Sequence, residues 1–464
     1  NDWNFGTSLT GFTIGKSTNT AEIILDNALS VAGPVSITAG NIYLIKGITS
    51  TAAGAAITLK SASRIETEPS LTFQTNNGNI TFWTDSDGVA NANGDYIGLQ
   101  SGVVLNSANG LTNQTTGGGR ITLAGGTATD TDGLPTGYAF SNRTTAWGSL
   151  APSGVQLGAW VWNANGTTYA NDIKMYSGGG DITIKGKTGN TAPGISWYSG
   201  ASGSQVINAG SGLITLDGQS STSHGIELNY YGSTVSPVLQ SSSNATTAIS
   251  ITGVTTFTSP SAGYQGTATL IATGTGGISV SGTSAASGYF GLTAGNFKAF
   301  AASGAISLTG VNANNASGGL NLSGTLGNGG GITGSTSNIT LTGNSVNLAG
   351  ATTLSTAGAV TIQPSGNDFT STFTLQNLTF SGNETGLTIG KSATGADGTS
   401  DAGVTISSAI GIAGPIAIYG KDLWINKALS TTAANAQVLL KSSGFAWLND
   451  ATADVTTNGG NVTL

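Results

Sequence analysis

A four-residue pattern recurs along this chain: a Gly, Asn, Ala or similar residue, an apolar residue, a Thr or Ser, and a second apolar residue. It reads NITF at 79, RITL at 120, DITI at 181, LITL at 213, AISI at 248, GISV at 277, AISL at 305, GLNL at 319 (with Asn in the third place), NITL at 338 and AVTI at 359. Apolar residues at i and i+2 share one face of an extended strand, and the Ser or Thr between them faces the other way. Successive instances lie 14 to 41 residues apart, mostly about 20 to 35, except for the 61 between RITL at 120 and DITI at 181. That is the rung length of a coiled, stacked β architecture. Glycine runs at Gly117 to Gly119, Gly178 to Gly180 and Gly329 to Gly331 precede three of these strands. Glycine there supplies the left-handed backbone of a tight corner.

The expected fold is therefore all-β, a parallel β-helix or β-solenoid rod. Ile, Val, Leu and Ala fill its interior, and Ser, Thr and Asn cover its faces. Coils about 4.8 Å apart cover one another's edges. The competing expectation is a string of tandem β-sandwich domains. Such domains need about 100 residues each and a boundary signal between them. With 9 prolines and no charged linker in 464 residues, no internal boundary is visible.

Composition agrees with a solenoid. Charged residues are 8% of the chain, and Leu228 to Asn367 contains one charged side chain, Lys298. Helix surfaces favour Glu, Lys, Arg and Gln, whereas Thr beside β-branched residues suits a pleated surface. The net charge of −7 disfavours nucleic acid, which selects basic surfaces. No apolar run reaches the ~18 residues of a membrane helix, so no membrane insertion is expected in this segment. No cysteine is present, so disulfides and thiolate chemistry are excluded.

A longer repeat encloses the short one. GFTIGKS at 11–17 returns as GLTIGKS at 386–392, and SVAGPVSI at 30–37 answers to GIAGPIAI at 411–418. ITSTAAGAAITLKS at 48–61 answers to LSTTAANAQVLLKS at 429–442, and GNITF at 78–82 to GNVTL at 460–464. The Gly-Lys-Ser tail suggests a nucleotide loop, but that loop needs four residues between its first glycine and the Gly-Lys pair. Only three separate Gly386 from Gly390, and Thr385 and Thr10 stand where the glycine should be. The stretch is a repeat element instead. The period is about 380 residues: 1–380 reads as one long unit with an aromatic-rich insertion around 130–200, and 381–464 as the start of the next. The chain reads as a segment of a longer tandem array, in which neighbouring repeats of the same chain are partners.

GLTIGKS, IAGPIAIYG and NKALSTTAANAQVLLKSSG together resemble the repeats of giant bacterial surface adhesins. These are the filamentous-haemagglutinin-like exoproteins and the large repetitive adhesins of gliding and biofilm-forming bacteria. The resemblance covers mainly residues 5–82 and 380–464. It implies secretion to the bacterial cell surface, an extended stalk for cell adhesion and no catalysis. It carries over no binding residues.

Candidate chemistry is sparse. Trp147, Trp160, Trp162, Tyr169, Tyr176, Trp197 and Tyr198, with Tyr138, gather in the longest gap between strand motifs. Rings on a long loop could stack on sugars, which makes a surface or glycan the expected ligand; packing of the loop onto the coils is the plainer alternative. TDSDG (Asp85, Asp87) and TDTDG (Asp130, Asp132) carry alternating carboxylates of a kind that holds Ca²⁺, with Asp95 near the first. Neither completes a twelve-residue calcium loop, and Asp-Gly is a turn pair, so turns are the preferred reading and no cofactor is expected. Asp172, Lys174, Asp181, Lys185 and Lys187 form the densest candidate for a carbohydrate-active enzyme. His224, beside Glu227, has no second histidine to complete a metal site. The expectation is a non-enzymatic adhesin segment; a β-helix enzyme or a self-assembling extracellular filament or sheath subunit are the alternatives.

Overall fold

The computed structural model describes residues 9–89, 91, 94–143, 152–159, 172–198, 204–230, 235–314, 318–391 and 402–464. It is all-β, and its strands stack as a parallel β-helix with three strands to a coil. Contacts divide it into two compact units, Asn1–Asn244 with Ala248–Phe257, and Ala245–Thr247 with Thr258–Leu464. The repeat boundary near residue 380 lies inside the second unit. There Gly386–Ile389 is hydrogen-bonded between Ala359–Pro364 and Ile416–Gly420. Sequence period and packing boundary are therefore different things in this chain.

In the first unit one side of the coil is the stack Phe12–Gly15, Val35–Ala39, Ile57–Ser61, Ile80–Thr84, Ile121–Thr129, Ile182–Thr188, Ile214–Ser220 and Thr247–Thr255. Its register is unbroken: Val35, Ile57, Ile80, Ile121, Ile182, Ile214 and Ile249 follow one another as partners. Those residues are at most 1% exposed, as is the second column Ile37, Leu59, Phe82, Leu123, Ile184, Leu216 and Ile251. Between the columns, Ser36, Thr58, Thr81, Thr122, Thr183, Thr215 and Ser250 form the outer ladder. β-branched residues pack well on such a half-buried pleat, which is why the apolar–Thr–apolar pattern makes this side. The two remaining sides begin at Glu22–Leu25 and Leu29–Val31 and repeat in parallel in the same way.

The second unit repeats the plan with Gly277–Ser284, Ile306–Asn312, Ile339–Gly343, Ala359–Pro364, Gly386–Ile389, Ile416–Gly420, Val438–Ser442 and Val462–Thr463 on the motif side. Leu292–Ala301, Leu320–Gly327 and Val346–Ser355 each run over both remaining sides, with register shifts at the bend. The motif GLNL at 319 falls here, off the side that the other nine motifs occupy.

On the motif side coil length varies while register does not. The partners Phe12, Val35, Ile57 and Ile80 are 23, 22 and 23 residues apart, whereas Ile121 and Ile182 are 61 apart and still directly paired. The surplus leaves at corners. Corner serines take up the carbonyls freed there: Ser50 Oγ donates to the Gly33 carbonyl at 2.8 Å, Ser61 Oγ to Gly40 at 2.7 Å and Ser241 Oγ to Gly212 at 2.7 Å.

The glycines that open the two Gly-Lys-Ser stretches are corners as well. Gly15 and Gly390 both have φ of 83°, and a Cβ on Gly15 would stand 1.7 Å from the Thr38 carbonyl oxygen. The tandem sandwich is ruled out, because the strands pair in parallel. Antiparallel pairing among the described residues is confined to the hairpin Ile121–Thr129 with Pro135–Gly137 and to the bridges Asp95–Phe140 and Gly329–Ile332.

Candidate functional site

The insertion between Ile121 and Ile182 carries the densest polar chemistry. Its hairpin turns at TDTDG: Gly133 N donates to the Asp130 carbonyl at 3.1 Å, and Asp130 N to that of Leu134 at 2.9 Å. The Asp130 carboxylate accepts the backbone N–H of Asp132 and of Leu134, each at 2.9 Å. Arg120 reaches Asp130 at 3.3 Å, Asp132 at 2.7 Å and Asp181 at 4.0 Å. The cation held by this acidic loop is thus a guanidinium.

The hairpin lies over the outer ladder. Tyr138 Oη donates to Asp217 at 2.7 Å and accepts from Gln219 Nε2 at 2.6 Å. Lys185 Nζ stands 5.7 Å from the Tyr138 ring centre and donates to the Thr136 carbonyl at 3.0 Å. Burial and the Asp217 carboxylate both push the Tyr138 phenol up. Trp83 holds the hairpin's other strand, donating Nε1–H to the Gly126 carbonyl at 2.7 Å while Lys60 sits 3.9 Å over its ring.

The first acidic loop is built differently. Asp85 has φ of 52°, and its Oδ1 is buried without a hydrogen-bond partner. Burial first, then the carboxylates of Asp95 and Asp87, push Asp85 up to about 6. Asp95 is 1% exposed and accepts from Asn91 N at 3.0 Å and Asn91 Nδ2 at 2.7 Å. Asp87 accepts from Val89 N at 3.1 Å. Among the described residues no three His, Cys, Asp or Glu side chains are placed to share a metal ion.

Of the candidate aromatics, Trp147, Trp160, Trp162 and Tyr169 lie outside the described residues. Trp197 is fully buried: it stands in register with Leu157 and Leu228 and faces the interior, as a packing ring rather than a surface one. Tyr198 is 4% exposed, and Tyr176 is half-buried. The candidate enzyme residues are dispersed into structural pairs. Asp172 pairs with Lys174 at 3.8 Å, Asp181 joins Arg120 and accepts from Leu213 N, and Lys187 stands in register with Gln219. His224 lies in the turn before Ile226–Tyr230, where its carbonyl accepts from Gly194 N at 3.1 Å. Glu227 points outward beside Ser196, yet it is only 9% exposed, and loss of water raises its carboxyl to about 8.

Two clusters escape motif reading. In the first, Arg64 bridges Glu22 at 3.5 Å and Glu66 at 3.0 Å, Tyr43 donates to Glu68, and Tyr96 donates to Glu66. Arg143 completes it with a 3.2 Å hydrogen bond to the Tyr96 oxygen. The signal was three charges in the five residues RIETE, in a chain that is 8% charged. In the second, Trp424, Phe445 and Trp447 meet on one outer face. Its signal was FAW at 445–447, one coil length after Trp424.

Comparison with known proteins adds no relative: no protein family, curated protein or solved structure matches the chain. Among the described residues no helix is long and apolar enough to cross a membrane.

Proposed function

We propose that this chain is a stalk segment of a repetitive bacterial cell-surface adhesin, which extends from the cell and presents attachment surfaces to a glycan or other surface. The observation that carries this reading is register kept through insertions, seen where Ile121 pairs with Ile182 across 61 residues. A scaffold of that kind accepts loops without disturbing the stack, which is what a presenting stalk requires. The polar groups favour the same role. Arg120, Lys185 and Tyr138 are engaged in contacts that tie the hairpin to the coil. The wall itself is a ladder of threonine and serine hydroxyls.

The test is attachment. Beads carrying the purified chain are expected to be retained under flow on polysaccharide- or cell-coated surfaces, with no release of reducing sugar. Turnover of a polysaccharide that disappears in Asp172→Asn or Asp181→Asn would replace this reading with an enzyme.

A further inference from the structure

The long repeat places the same outer-face positions in two settings. Tyr43 pairs in register with Glu66 on one side of the first copy, and Trp424 pairs with Trp447 at the corresponding positions of the second. Arg64 precedes Glu66 by two residues as Phe445 precedes Trp447. In the first copy these positions form a hydrogen-bonded, ion-paired clamp. The coil therefore does not need rings at the last two of these positions. In the second copy all three positions are aromatic and face outward, at the last two described strands of that side.

The rings form an ordered row. Phe445 sits edge-on to Trp424 at 5.4 Å and to Trp447 at 6.3 Å. Gly403, one coil earlier, makes room for the Trp424 ring: a Cβ there would come within 2.4 Å of Trp424 Cζ3. Beside the rings, Asn449 Nδ2 donates to Asn426 Oδ1 at 3.3 Å, and Lys427 faces Asp450 at 3.9 Å. Lys421, Asp422, Lys427 and Asp450, on the segments around these two strands, bring two charges of each sign.

We propose that Trp424, Phe445 and Trp447 form a stacking platform for a neutral polysaccharide. Pyranose rings offer an apolar C–H face to aromatic faces and hydroxyls to flanking amides, and a rim whose charges cancel selects an uncharged chain. The proposal rests on the attachment reading and gives it a ligand class and a place.

The experiment is co-sedimentation of the whole chain with cellulose, chitin and insoluble mannan, together with titration of soluble glucomannan followed by tryptophan fluorescence. The decisive variant is F445R/W447E, which installs the residues that the first copy carries at these positions and so retains a coil the fold already tolerates. It is expected to lose at least tenfold in affinity with an unchanged circular dichroism spectrum, whereas W447F, which keeps a ring, loses less than threefold. Equal binding by the wild type and F445R/W447E overturns the platform, and so does a wild type that binds none of these glycans. In either case, beads that still attach to cell-coated surfaces leave the stalk reading standing. Beads that attach to nothing remove that reading as well.

Discussion

Residues 33–67 and 414–448 share a coil path and, as far as Ser61 and Ser442, a sequence skeleton, but not a surface. Inside, Val35, Ile37, Ile42, Leu44, Ile48, Ile57 and Leu59 answer to Ile416, Ile418, Leu423, Ile425, Leu429, Val438 and Leu440, and all are at most 1% exposed. Outside, the first copy carries a charged clamp through Tyr43, Arg64 and Glu66, and the second carries Trp424, Phe445 and Trp447. The interior is held by columns in which each residue touches its counterpart above and below. An outer residue meets its neighbours on one side and water on the other. The difference shows which constraint each face is under: shape inside, only solubility and local pairing outside.

The strongest attempt to break this comparison is at the Ala-Gly-Pro corners. A Cβ on Gly33 would stand 1.6 Å from the Thr10 carbonyl oxygen, and one on Gly414 1.8 Å from that of Thr385. Neither backbone can yield without separating coils. Gly33→Ala and Gly414→Ala are each expected to cost about 4 kcal/mol or more, read as a fall in denaturant midpoint. A large cost in one copy and none in the other would show that the two corners are not equivalent.

Next come the columns. Ile37→Ala and Ile418→Ala each leave a cavity among fully buried neighbours and should cost about 2–5 kcal/mol, alike in the two copies. Chemical denaturation of both variants checks this.

Glu227 tests what happens when an outward residue loses its water. Its carboxyl is raised from 4.5 to about 8, so between those values the folded chain holds a proton that the unfolded chain has released. Stability contributed by this group is therefore present below about pH 4.5 and is lost as pH rises to about 8. Stability read from denaturation midpoints should fall over that window by up to about 5 kcal/mol, and Glu227→Gln should remove that part of the slope. A wild-type profile that Glu227→Gln leaves unchanged would show that the carboxyl is ionised throughout.

The smallest effects belong to the exposed faces. Arg64→Ala frees Glu22 and Glu66 from partly exposed ion pairs and should cost about 1 kcal/mol or less, diminishing with salt. Phe445→Ala should lie within about 0.5 kcal/mol of wild type, since that ring is 44% exposed.

Much of the fold was legible because the apolar–Thr–apolar pattern has one structural solution when it recurs at coil spacing. Nine of its ten instances mark one side of the coil; GLNL at 319 does not, because Leu320–Gly327 bends across two other sides and only resembles the motif locally. Those other sides were hard to see. Their strands are as short as the three residues of Leu29–Val31 or Ile65–Thr67, too brief for periodicity to register. The turn at TDTDG was legible from Asp-Gly, but Arg120 as the cation over it was not, since that contact depends on where a hairpin folds back. Trp197 shows the same limit. Alternation does not say which face of Ile195–Tyr198 is inward until Leu157 and Leu228 are seen beside it.

Between Gly277–Ser284 and Ala359–Pro364 the outer positions are Ser279, Ser307, Thr340 and Thr361, with Ser281, Thr309, Thr342 and Gln363 beside them. No ionisable group stands in these rows, so neither brine nor acid has much there to act on. Screening weakens attractions between charges, and titration needs protons to gain or lose; a surface of hydroxyls and amides offers neither. Such a stretch should keep its cohesion from fresh water to seawater, an indifference to surroundings that a charge-laced helical bundle could not match.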